Sequence, residues 1–152
     1  MSALDQIAIR VETEDRFARN ALPVLHEVRH ALRRLVEAGE STTIDLHSMP
    51  FGPGDEEDLL AGLGTGEVAA QLAALGDSRI TETIYPGVWI VDHYNTHGQR
   101  IAFQIEVTPV PSVLVAHADD MADGLQRLEA ALAGPAEPES WPASNELRSQ
   151  HG

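Results

Sequence analysis

The chain has 152 residues, 43% of them hydrophobic, no cysteine, and 24 Asp plus Glu against 10 Lys plus Arg, a formal net charge of −14. A chain of this length buries about 70% of the surface that its unfolded form exposes, so a single compact domain is expected. The acidic field repels phosphate backbones and anionic bilayers and argues against nucleic acid and membrane partners, while the missing thiols exclude disulfides, thiolate catalysis and Cys-ligated zinc or iron–sulfur centres in this chain alone.

Residues 1–19 carry Asp5, Glu12, Glu14 and Asp15 without an apolar core, so neither a signal peptide nor a membrane span is expected there and the expected location is the cytoplasm. Within them Ile7, Ile9 and Val11 alternate as a short strand would. Asn20 is placed to cap a helix with Pro23 in its first turn, where a missing N–H costs nothing. Leu22, Leu25, Val28, Leu32, Leu35 and Val36 then recur at helical spacing up to Gly39, a natural stop.

Thr42 to Leu46 is short and β-branched and predicts a strand, followed by a turning loop through Pro50, Gly52, Pro53 and Gly54. Asp55 to Asp58 place four carboxylates where a helix N-terminus favours them, ahead of Leu59, Leu60 and Leu63. Gly64 and Gly66 interrupt, and Val68, Leu72 and Leu75 predict a second short helix over Glu67 to Leu75, ending at Gly76. Gly62, Gly64 and Gly66 resemble a phosphate loop, but no Lys follows and no strand clearly precedes, so they read as helix punctuation.

From Arg79 the period becomes two. Tyr85-Pro86-Gly87-Val88 has the Pro and Gly of a type II turn, and the strands Val88 to Tyr94 and Gln99 to Thr108 flank Asn95-Thr96-His97-Gly98. Ile101, Phe103, Ile105 and Val107 form one inward row opposite Gln104, Glu106 and Thr108. Asp119 to Leu132 returns to helical spacing through Met121, Leu125, Leu128 and Leu132. The expected fold class is therefore α+β, an antiparallel meander of three to four strands packed against helices, over residues 20–133. Residues 134–152, with Pro135, Pro138, Pro142 and a lone Trp141, read as a flexible acidic tail.

His26-Glu27-Val28-Arg29-His30 is a literal HExxH, in which two imidazoles one helical turn apart could share a zinc while Glu27 activates water. Chance gives roughly 0.03 such matches in a chain of this composition, so the string carries little by itself. The apolar stripe centres roughly 130° away from the two His, which share their face with Arg33 and Glu37, and no third ligand is identifiable downstream. A solvated pair is expected, with His26 and His30 as the only metal candidates, for an exposed nickel or zinc ion, and no catalytic residue or cofactor. Tyr85, Pro86, Gly87 and Trp89 are candidates for binding a partner: a stiff turn presents aromatics and leads into a strand near a sheet edge. Packing of Trp89 in the core is the alternative.

Four stretches carry a resemblance: Leu22-Pro23-Val24-Leu25-His26-Glu27-Val28-Arg29-His30-Ala31-Leu32, Leu63-Gly64-Thr65-Gly66-Glu67-Val68, Ile80-Thr81-Glu82-Thr83 through Pro86-Gly87-Val88-Trp89, and Ile105-Glu106-Val107-Thr108-Pro109-Val110-Pro111. Together, over residues 20 to 115, they resemble the HupH/HyaF family of nickel–iron hydrogenase expression and formation proteins. The resemblance implies a non-catalytic cytoplasmic accessory role in maturing the iron–sulfur small subunit of an uptake hydrogenase before export. It also implies two partners, the small-subunit precursor and a thioredoxin-like accessory protein. The chain is shorter than other members, which raises self-association, a homo-oligomer, as a further expectation.

Overall fold

The computed structural model describes residues 20–134, and the expectations of a strand at residues 7–11 and of a flexible tail fall outside them, save for Gly134. The described residues divide into two compact units, one ending at Ser112 and the other beginning at Val113.

In the first unit the leading apolar stretch folds as helix α1 (Ala21–Ala38). It closes at Gly39, whose φ of 69° lets its N–H reach the Leu35 carbonyl at 2.9 Å. Asn20 precedes it but makes no side-chain cap. Its amide instead donates to the Pro50 carbonyl at 3.0 Å and to Asp55 Oδ2 at 3.2 Å, tying the start of α1 to the start of the next helix. Strand β1 (Thr42–Asp45) follows, then helix α2 (Asp55–Leu63) with its four acidic residues in the first turn, where the helix dipole favours them.

The residues expected as a second short helix form strand β2 (Ala69–Ala74) instead. Alanine suits helices and the spacing of Val68, Leu72 and Leu75 suited one too, so the local signal was misleading; tertiary pairing overrides it. Glu82 donates to the Val68 carbonyl at 2.8 Å, and β2 pairs residue for residue with β3 (Gly76–Glu82), from Ala69 opposite Thr81 to Ala74 opposite Gly76. That tight reversal depends on Gly76: at φ 124°, a Cβ there would meet the Tyr94 carbonyl oxygen. Strands β4 (Val88–Tyr94) and β5 (Arg100–Val107) complete a five-stranded antiparallel sheet in the order β1-β5-β4-β3-β2. The α+β class and the antiparallel meander are as the sequence predicts.

Strand β4 is the central strand, bonded to β3 and β5, so the expectation that it lies near a sheet edge is corrected. The inward row of β5 is also shorter than expected. Phe103, Ile105 and Val107 are buried, whereas Ile101 is 57% exposed. His93 pairs with Ala102 and Tyr94 with Arg100, which leaves Ile101 as the extra residue of a bulge and turns it out of the row.

One sheet face, with Ile44, Val88, Ile90, Phe103, Ile105 and Val107, packs against α1 and α2. Each fully buried side chain of this kind stabilises by about 1.5–3 kcal/mol. The α1 face at the centre of that core is Ala21, Val24, Val28 and Ala31; Leu25, Leu32 and Leu35 pack only partly, and Val36 is 78% exposed. The second unit holds helix α3 (Ala118–Leu132), on which Met121, Leu125, Leu128 and Leu132 are exposed.

Candidate functional site

Thr83 begins the local order of the Tyr85–Trp89 segment. Its buried hydroxyl accepts from the Tyr85 N–H at 3.1 Å and lies 3.2 Å from the Tyr85 carbonyl, while its own N–H donates to the Val88 carbonyl at 3.0 Å. The turn closes as the Pro-Gly pair predicts: Val88 N–H donates to the Tyr85 carbonyl at 3.0 Å, and Gly87 takes φ 89°.

The four stretches singled out in the sequence converge on this turn. From the second, Leu63 accepts from the Ile84 N–H at 3.0 Å, and Gly66 donates to the Glu82 carbonyl at 2.7 Å. The glycines there answer to close approach: a Cβ on Gly66 would strike the Thr83 carbonyl oxygen, and one on Gly64 would strike Ile84 Cγ2 at 2.6 Å. From the fourth, the Thr108 N–H donates to the Gly87 carbonyl at 2.8 Å, and the Thr108 carbonyl accepts the Trp89 indole N–H at 3.1 Å. From the first, Leu32 of α1 would lie 3.7 Å from a Cβ on Gly87, with Leu35, three residues beyond that stretch, at 3.4 Å.

Around this junction lies an apolar groove of about 350 Å³. Helix α1 contributes Leu22, Leu25, Val28, Arg29 and Leu32, helix α2 contributes Gly62 and Leu63, and the turn contributes Tyr85. Tyr85 is 44% exposed, Ile84 and Pro86 are exposed beside it, and Gly87 is half-buried. Trp89 is buried, at 6% exposed, but by strand alternation lies on the sheet face opposite Val88 and Ile90, away from α1 and the groove, with its indole N–H satisfied. The groove walls carry one charge, the Arg29 guanidinium, and the arrangement suits desolvation of apolar side chains on a partner. The sequence marks Tyr85 and Pro86 as partner candidates but shows Leu22, Leu25 and Leu32 only as part of the apolar stripe of a helix. The available signal was a stripe with more leucines than the narrow buried face of one helix accommodates.

His26, Glu27 and His30 are all exposed, and at about 100° per residue the pair lies roughly 160° from the buried face of α1. Among the described residues no group of three His, Cys, Asp or Glu is placed to hold a metal ion. His93 is half-buried, with Nδ1 2.7 Å from Ser78 Oγ across the β3–β4 pair. His47, His97 and His117 are exposed at separate points of the chain.

A charged cluster steadies α2 against the sheet. Arg100 makes two hydrogen bonds to Glu56, at 2.7 and 2.9 Å, lies 3.6 Å from Asp92 and stacks over Phe103 at 4.1 Å. Hydrogen bonding from Arg100 holds the Glu56 carboxyl below the usual carboxylate range, whereas burial pushes that of Asp92 up against the pull of Arg100. Asp55 is buried, and its Oδ2 accepts from the Gly52 N–H at 2.7 Å as well as from Asn20.

The chain is similar to known proteins over most of this unit and beyond it. Residues 18–134 match the family described as HupH hydrogenase expression protein, C-terminal conserved region. Over 111 residues, 72% of this chain, it is 36% identical to the hydrogenase expression/formation protein HoxQ of Azotobacter vinelandii, covering 39% of that protein. It is 28% identical over 109 residues to the hydrogenase-1 operon protein HyaF of Escherichia coli K12, again 72% of this chain and 38% of that one. Among solved structures, the hydrogenase expression protein HupH from Thiobacillus denitrificans is 41% identical, with a TM-score of 0.74 over 78% of this chain and 98% of that one. The chain thus spans about two fifths of the length of the curated relatives it matches.

Proposed function

The chain belongs to the family of HupH hydrogenase expression proteins, and on that premise we propose that it is a non-catalytic, cytoplasmic accessory protein in maturation of a nickel–iron uptake hydrogenase, acting on the iron–sulfur small subunit before export. The observation that carries this reading is the meeting of all four family-like stretches at one turn, beside a groove whose walls are apolar except for Arg29. Such a surface binds side chains; it supplies no acid, base or nucleophile pair to act on them.

Tyr85 and Pro86 form the exposed rim of this partner surface, Gly87 sets its turn, and Trp89 anchors the strand that follows to Thr108 from the opposite face of the sheet. The precursor of the hydrogenase small subunit is the proposed occupant, with a thioredoxin-like accessory protein as second partner. The names of the relatives, hydrogenase expression/formation and hydrogenase-1 operon proteins, support a place in that process. The test is co-purification from hydrogenase-expressing cells, with the captured chains identified by mass. Recovery of the small-subunit precursor by the wild type and its loss with Tyr85→Ala supports the assignment. Equal recovery by both places the partner elsewhere.

A further inference from the structure

The two edges of the sheet differ in their protection. Strand β1 has four residues, ends at the charged Asp45, and has Arg34 reaching Thr42 at 3.4 Å. Strand β2 has six residues, Ala69-Ala70-Gln71-Leu72-Ala73-Ala74, with no charge and no proline, and closes the other end of the sheet among the described residues. Charged or proline residues are the ordinary means of keeping an edge from pairing, and β2 has neither. Val68 just before it is 47% exposed and Leu75 just after it is 97% exposed.

The hydrogen-bonding direction along β2 follows from its first contact. Val68 accepts from Glu82, so by the alternation of an antiparallel strand Ala70, Leu72 and Ala74 turn their backbone groups toward β3. Those of Ala69, Gln71 and Ala73 therefore point outward. A two-fold axis normal to the sheet places some residue opposite its own copy, and Gln71 suits that place. It puts Ala69 opposite Ala73 of the other chain, and each such pair joins two outward-facing residues. Glu67 then stands opposite Leu75 rather than Asp77, so no like charges face each other across the junction.

We infer that the β2 edge is a self-association surface, at which two copies of this chain pair antiparallel about Gln71 into one ten-stranded sheet. This surface is separate from the groove at Tyr85, so either reading can fail without the other. Each copy carries a formal charge of −14, so long-range repulsion opposes pairing and screening relieves it. Association accordingly tightens as salt rises from about 0.05 to about 0.5 M, the opposite of an interface held by ion pairs.

The chain has no cysteine, which makes a clean cross-linking test available. Opposed hydrogen-bonded residues have Cα atoms about 5.5 Å apart, inside the roughly 4.4–6.8 Å span of a disulfide. Gln71→Cys alone should oxidise to a covalent dimer of twice the 16.4 kDa chain mass, whereas Ala69→Cys alone should not, its opposite number being Ala73. By light scattering the wild type should be a dimer and Gln71→Pro, which loses only an outward donor, a monomer. Gln71→Lys leaves the backbone intact and should also be monomeric, which keeps the test valid if the proline variant fails to fold. A wild type that stays monomeric across protein and salt concentration overturns the inference. So does a dimer that survives Gln71→Lys without the Gln71→Cys cross-link.

Discussion

Helix α1 presents two faces of opposite standing. One carries His26, Glu27 and His30, the most recognisable string in the chain, and everything on it is exposed. The other carries alanines, valines and leucines with no recognisable string, yet it builds both the core and the wall of the groove. A metal motif needs its ligands to converge on a sheltered point, and two imidazoles on a solvated face lack both the shelter and the third ligand. What the helix offers a partner is set by which face meets the turn at Tyr85–Trp89.

Substitutions should separate the two faces by size of effect. Trp89→Ala removes a buried ring and its bond to Thr108, on the sheet face away from the groove, and should cost about 3–5 kcal/mol of stability in urea unfolding. If the melting point does not move, the ring is not the anchor described. Tyr85→Ala acts at the rim, so folding should hold while affinity for a partner falls by about 2 kcal/mol or more, measured by titration calorimetry.

Glu56→Gln sharpens the picture at the far end of the helix layer. A carboxyl whose folded pKa lies below its unfolded value adds stability above the unfolded value, and that stability is lost as pH falls through the folded one. The Glu56–Arg100 pair is about one-third exposed, so the variant should lose about 1 kcal/mol or less at neutral pH. It should match the wild type once the pH falls below the usual carboxylate range, which pH-dependent unfolding checks. The smallest effect belongs to the exposed face. His26→Ala with His30→Ala should change stability by less than about 0.5 kcal/mol, and the wild type, purified without a tag, should hold no stoichiometric zinc in elemental analysis.

The sequence made legible what local chemistry dictates. The stop at Gly39, the Pro86-Gly87 turn and the alternation of β5 from Phe103 to Val107 each rest on a backbone preference or a period that few residues carry. It misled where distant chain decides. Val68, Leu72 and Leu75 fit a helix as well as a strand, and only pairing with β3 selects β2. Ile101 fits the inward row by period but is displaced by a bulge between β4 and β5. The site was half legible: a turn rich in Pro, Gly and aromatics marked Tyr85 and Pro86, but leucines shared between a core and a groove look alike in one dimension. The placement of β4 at the centre of the sheet, which moves the proposed partner surface from a strand edge to the groove, depends on strand order.

The most direct measurement is titration of purified hydrogenase small-subunit precursor against three chains: the wild type, Tyr85→Ala, and the double variant His26→Ala with His30→Ala. Binding by the wild type and the histidine variant with equal affinity, and loss of about 30-fold or more in the Tyr85 variant at an unchanged melting temperature, is the expected result. Full affinity in Tyr85→Ala together with its loss in the histidine variant would contradict the account and put the function on the opposite face of the helix.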